Sequence, residues 1–411
     1  MKIVLLAHFA GSPRHGMVYG HYFLAREWVK LGHSVTIVAS SYVHTRFNNP
    51  DVKGGLYTEE YIDGIRYLWI KTPRYDPDKN AGRAINILTF SFLTRFLTLP
   101  LEGPDVIVST SHHTLAIFSA IKLARQYSSK LIYEVRDLWP LSLIEIGGIS
   151  PRNPFIRFLQ YAEDLSYKSC DKIISLMPYA KDYMISRGMS SDKFIYIPNG
   201  FDDSEKSEES FELPDIHQKA IERFKQSDSF IVAYTGNFGD ANEVGALISS
   251  LSFCENKKIV LLLVGKGPHL NALKKLVTEK CLSDRVTILP AIRKSSVIGL
   301  LRQVDLGFIG LKNQSMFRFG VSPTKINDYF LAKLPILYAI TYKDQIIEDS
   351  GVVFQCESGH PISIAEMMDY ISAKPKAERN RIGEQGYKWA NSTRSYSKLA
   401  IKFLDVLKIN G

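Results

Sequence analysis

A chain of 411 residues is too long for one ordinary core, so two domains are expected. Its 45% hydrophobic and 23% charged content is that of a globular protein, and a net charge of +9 favours an anionic partner: a nucleotide, a phospholipid surface or a nucleic acid. Scattered basic residues, with no arginine-rich arm, zinc finger or RNA-recognition signature, argue against nucleic acid. No run of eighteen apolar residues occurs, and the apolar start at 3–7 is too short for a secretory core. Cys170, Cys254, Cys281 and Cys356 are far apart and form no metal-type spacing, so reduced thiols in a cytoplasmic protein are expected.

In chain order, the spacing predicts a strand at 3–7 and a loop holding Gly11, Ser12, Pro13, His15 and Gly16. A helix follows with Phe23, Leu24, Trp28 and Val29 on one face, ended by Gly32-His33, and then a buried strand at 35–39. Continuous apolar strands alternating with helices belong to a parallel, doubly wound α/β sheet. Further strands are expected at 105–109, 130–135, 172–176 and 194–197. The apolar stretch 84–100, with Arg74, Lys79, Arg83 and Arg95 nearby, reads as a core helix or as an in-plane surface for acyl chains and anionic lipid.

Pro198-Asn199-Gly200 breaks the pattern, and the acidic run at 202–210 follows. The first domain is therefore placed at 1–200 and an interdomain linker, or a lid, at 201–228. The pattern restarts with a strand at 230–234, the turn Thr235-Gly236-Asn237-Phe238-Gly239, and a helix near 243–251. Strands at 259–264, 286–289, 306–311 and 336–339 complete a second doubly wound domain at 229–390. A last helix within 391–411, with Leu399, Phe403, Leu404 and Leu407 on one side, can cross back to the first domain. Two such domains facing each other would put the carboxyl ends of both strand sets around one cleft.

The stretch from Ser322 to Leu337 carries the chemistry. Ser322 suits a helix N-cap and Pro323 a first helical position, and Lys325 and Asp328 then share one face. A helix start with a lysine suits phosphate, and a carboxylate one turn deeper can accept both hydroxyls of a ribose. Gly236 and Asn237 follow a strand, where a small residue lets backbone amides approach phosphate oxygens. Gly11 and Ser12 occupy the matching loop of the first domain and should line the sugar or acceptor side. Lys266 can touch phosphate or stand as a solvated turn lysine, and the backbone near Leu289 can meet a uracil edge or simply pack.

These segments resemble a known family. Gly11, Pro198-Asn199-Gly200-Phe201-Asp202, Tyr234-Thr235-Gly236, Gly265-Lys266-Gly267-Pro268 and the stretch from Ser322 to Pro335 recur, in this order, in the retaining nucleotide-sugar glycosyltransferases of family four. That resemblance covers nearly the whole chain and implies the GT-B fold, two Rossmann-like domains. Ala10-Gly11-Ser12-Pro13-Arg14-His15-Gly16-Met17, Asp137-Leu138-Trp139-Pro140 and Pro151-Arg152-Asn153-Pro154-Phe155 are similar to a bacterial subgroup that includes fucosaminyl (N-acetyl-L-fucosamine) transferases of O-antigen and capsule assembly.

The resemblance implies a UDP-sugar donor, a polyprenyl-diphosphate-linked acceptor and a peripheral place on the cytoplasmic membrane face. It also implies a sugar-contacting histidine after the strand at 105–109, where His112 and His113 are adjacent and His113 is preferred. Two departures stand out. The family's two glutamates seven residues apart become Gly320 and, preserved as an acid, an aspartate at Asp328, leaving the first role to Ser322 or backbone amides. The loop 236–240 lacks the cations common in relatives, so Lys325 takes the diphosphate, with Arg318 as a second contact.

No cofactor is expected, no enzymatic nucleophile is assigned, and Glu134, Asp137 and Glu145 have no defined separation for a glycosidase pair. Asp76-Pro77-Asp78 matches a metal-binding string but lies in a polar loop rather than after a buried strand, so no metal is assigned. Two rivals remain: a UDP-sugar 2-epimerase on the same fold, and a non-catalytic two-lobed binding protein.

Overall fold

The computed structural model describes residues 1–16, 20–76, 80–96, 98–111, 113–206 and 212–408. Two compact units divide it: Met1–Asn199 with Tyr396–Gly411, and Gly200–Ser395. The first unit carries β1 (Lys2–Leu6), β2 (Ser34–Ser40), β3 (Tyr57–Ile62), β4 (Ile65–Ile70), β5 (Val106–Thr110), β6 (Lys130–Val135), β7 (Lys172–Ser175) and β8 (Phe194–Tyr196). Their order is β3-β4-β2-β1-β5-β6-β7-β8, parallel except for β3 against β4. That antiparallel hairpin was not foreseen. Its turn is Asp63-Gly64 with both residues at positive φ, 51° and 78°, the geometry that joins two twisted strands with a two-residue loop.

The second unit carries β9 (Phe230–Asn237), β10 (Ile259–Lys266), β11 (Val286–Leu289), β12 (Leu306–Gly310), β13 (Ile336–Ala339) and β14 (Val353–Cys356) in the parallel order β11-β10-β9-β12-β13-β14. Each unit is thus a Rossmann-like, doubly wound α/β sheet. Strand order reverses between β1 and β5 in the first unit and between β9 and β12 in the second, and such switch points open crevices at the carboxyl ends of the strands.

The segment 201–228, expected to be a linker, contains the helix Asp215–Gln226. Ala220, Ile221 and Phe224 of that helix are buried in the second unit's core, so residues 215–226 are part of that unit. Charged residues on its other face, Lys219, Glu222, Arg223 and Lys225, obscure this helical stripe in the sequence. The final helix, Tyr396–Lys408, buries Leu399, Phe403, Leu404 and Leu407 in the first unit, where Trp28 Nε1 donates to Ala400 O at 3.1 Å.

The helix Asn80–Phe96 packs one side against the core and leaves an apolar stripe exposed on the other. Asn86, Ile87, Phe90 and Thr94 are buried, while Ile85, Leu88, Phe92 and Phe96 are 44–64% exposed. Steps of three, four and four residues put the exposed four on one stripe. Among the described residues, no helix is long and apolar enough to cross a membrane.

Candidate functional site

In the second unit the site gathers at the β9/β12 switch point. β9 ends in Gly236-Asn237, and Gly236 has a φ of 145°, a conformation side chains resist. A Cβ there would stand 3.4 Å from Lys325 Nζ, so the lysine points at this turn. Lys325 Nζ donates to Asn242 Oδ1 at 2.8 Å and to the Tyr234 hydroxyl at 3.1 Å, and lies 4.5 Å from the Tyr234 ring centroid. Tyr234 in turn donates to Asn237 O at 2.7 Å. Burial pushes the Lys325 ammonium down to about 8, against a smaller opposing pull from Asp328. Lys325 is half-buried, and its hydrogen-bond partners here are neutral.

Asp328 is buried, which raises its carboxyl above the ordinary range, and it pairs with Lys294 from the helix Lys294–Leu301. That partner was missed in the sequence because it comes from another element. Tyr234 and Asn242 were missed as ligands of Lys325 for the same reason.

The expected helix start is corrected. The helix runs Lys325–Leu331, with Thr324 as its N-cap residue and no side-chain cap, so Ser322 is not the cap and Pro323 precedes the helix. Ile326 N and Asn327 N bond back three residues to Pro323 O and Thr324 O, a tight turn that delays the first helical residue. With only seven residues the helix contributes little dipole.

The other expected donor contacts are placed as follows. Asn237 is exposed beside Gly236, and Lys266, exposed at the end of β10, pairs with it in register. Leu289 ends the edge strand β11 and packs against the core. Arg318 is held locally, donating to Ser315 O at 2.6 Å and stacking 4.2 Å over Phe319. It lies exposed on the short 3₁₀ turn Ser315–Phe319.

In the first unit the candidates gather at the β1/β5 switch point. Gly11 O accepts from the Tyr67 hydroxyl at 3.0 Å, and Ser12 is buried in a bridge to Gly16. The Ser12 hydroxyl has no hydrogen-bond partner among the described residues. His113 follows β5 and is 1% exposed, with its ring 4.9 Å from that of His8 and 6.0 Å from Phe90. Neither of its nitrogens has a partner among the described residues, and burial, aided by Arg83, holds the imidazole down to about 3. His112 lies outside the described residues, as do Pro77 and Asp78 of the Asp76 string.

Glu134 is not poised as a glycosidase acid. His21 Nε2 stands 2.6 Å from Glu134 Oε2, and Arg136 Nη1 donates to Oε1 at 2.9 Å. Asp137 accepts from Trp139 Nε1 at 3.1 Å and from the Ser142 hydroxyl at 3.2 Å.

Comparison with known proteins adds an independent line. Residues 15–205 match the family described as Glycosyltransferase Family 4. The chain is 23% identical to the probable glycosyltransferase WbjE of Pseudomonas aeruginosa over 308 residues, 73% of this chain and 74% of that protein. Among solved structures, HepE of Anabaena in complex with UDP and glucose has a TM-score of 0.66 at 15% identity, with both chains covered completely. WaaG, a glycosyltransferase involved in lipopolysaccharide biosynthesis, gives 0.62 at 15% identity, again over all of both chains. The Escherichia coli trehalose-6-phosphate protein bound with UDP-2-fluoro glucose gives 0.75 at 10% identity, also over all of both chains.

Proposed function

We propose that this chain is a family-four glycosyltransferase of GT-B fold that takes a sugar from a UDP-sugar and adds it to a polyprenyl-diphosphate-linked saccharide. The observation that carries the donor half is the half-buried Lys325 ammonium aimed at the Gly236 turn, with Asp328 one helical turn along. As the glycosidic bond to UDP breaks, negative charge grows on the diphosphate. A fixed cation in a low-dielectric pocket stabilises that charge more than it stabilises the ground state.

Asp328 accepts the ribose hydroxyls, and the backbone around Gly236 and Asn237 meets phosphate oxygens. His113 and Ser12 serve the sugar or acceptor side. Transfer retains the anomeric configuration, with a donor phosphate oxygen taking the acceptor proton and no enzymatic nucleophile. N-acetyl-L-fucosamine is the candidate sugar, and O-antigen or capsule assembly the setting. Support for a UDP donor comes from the ligands named for HepE and the Escherichia coli protein, and for a polysaccharide setting from WaaG.

Isothermal titration tests the ribose assignment. Asp328→Ala should weaken UDP binding by about tenfold or more, the loss of two hydrogen bonds to a charged acceptor. Unchanged affinity removes Asp328 from the nucleotide site.

A lipid-linked acceptor calls for a peripheral place on the membrane, and the exposed stripe Ile85, Leu88, Phe92 and Phe96 is the proposed contact, with Arg83 and Arg95 on the same helix. Phe92→Ser with Phe96→Ser should cut partitioning onto anionic phosphatidylglycerol vesicles by at least about tenfold, as two phenyl groups stay in water. Equal flotation of both proteins, or flotation of neither, sinks the membrane proposal.

A further inference from the structure

The turn that holds Lys325 also holds a second lysine, which the sequence reading never singled out. Lys312 follows β12 directly, across the switch point from the turn 239–242 that follows β9. Its backbone N–H donates to Ala241 O at 3.0 Å, which ties the start of this segment to that turn. Its ammonium donates to Asp240 Oδ2 at 2.6 Å. Two residues on, Asn242 Oδ1 takes the Lys325 ammonium. The close approach depends on Gly310, where a Cβ would come within 2.6 Å of Asn242 O. One short turn therefore carries a lysine at each of two neighbouring positions.

The two lysines are held differently. Lys325 is half-buried with neutral hydrogen-bond partners, whereas Lys312 and Asp240 are 44% and 64% exposed in their side chains. An exposed pair of this kind is worth little, because water screens it and two flexible side chains must be held in place. Its partner can be exchanged at small cost. Glu243, the next acid on the turn, sits in a left-handed conformation at φ 50° and adds its own charge near Lys312.

We infer that Lys312 is a second diphosphate ligand, and that Asp240 is an internal anion which holds it at the switch point until the terminal phosphate of a nucleoside diphosphate takes its place. This rests on the reading that the nucleotide binds at the β9/β12 crevice. The exchange is one of ion-pair partners: no covalent bond forms or breaks. A phosphate bearing up to two charges competes well against a single screened carboxylate, and Lys312 then neutralises charge on the departing diphosphate beside Lys325.

Titration of the full chain with UDP and UMP tests the inference. Lys312→Met should weaken UDP about tenfold and leave UMP unchanged, since UMP has no second phosphate. Asp240→Asn should tighten UDP about threefold, again without effect on UMP. UDP affinity equal to wild type in Lys312→Met overturns the inference, as does an Asp240→Asn affinity at or below wild type. Failure of the wild type to bind UDP at all would instead overturn the nucleotide reading itself.

Discussion

Replacing Lys325 by methionine should lower kcat/KM for sugar transfer by ~10²–10³-fold, the loss seen when one fixed donor to a developing anion is removed. Methionine keeps the length and apolar stem, so packing against Tyr234 survives and the loss reports charge. The same lysine makes donor binding depend on pH in a defined direction. Burial lowers its ammonium to about 8, and a bound diphosphate should raise it again.

UDP affinity is then fully present below pH 8 and falls as pH rises through 8, by up to tenfold per unit. At pH 8.5, binding should take up about three-quarters of a proton, the fraction of Lys325 that is neutral beforehand. Isothermal titration in two buffers of different ionisation enthalpy measures that uptake. The diphosphate of UDP is already ionised at this pH and contributes none. Zero uptake, or uptake retained in Lys325→Met, would place the titrating group elsewhere.

Much of this was readable in the sequence because single segments specify it. The strands 130–135, 286–289 and 336–339 have the residue bounds their apolar runs imply. Lys325 and Gly236 each stand in a recognisable segment, and the fold brings them together. What stayed hidden depends on partners far apart in the chain. Lys294 and Asp328 are separated by 34 residues, and Lys312 and Asp240 by 72, and nothing in either local pattern points to the other.

Two local misreadings have a different cause. At Ser322-Pro323 good capping residues were present, yet the chain spends them on a tight turn and starts its helix at Lys325. At Asp63-Gly64 a two-residue turn flanked by β-rich runs joins an antiparallel pair at the edge of a sheet whose other strands are parallel.

His113 yields a prediction in which stability and activity move in opposite directions. A buried imidazole with both nitrogens unpartnered costs about 1–3 kcal/mol, because it has left water and gained nothing in return. His113→Leu removes that cost at similar volume and keeps contact with Phe90 and His8. The variant should therefore melt a few degrees higher by calorimetry. Transfer should nevertheless fall ~10²-fold if the two nitrogens serve a sugar hydroxyl, one donating and one accepting. The imidazole, held down to about 3, is neutral at every working pH, so this loss should be the same from pH 6 to 9. A packing histidine behaves otherwise: its removal would lower the melting temperature and leave transfer intact, and that pair of results would take His113 out of the site.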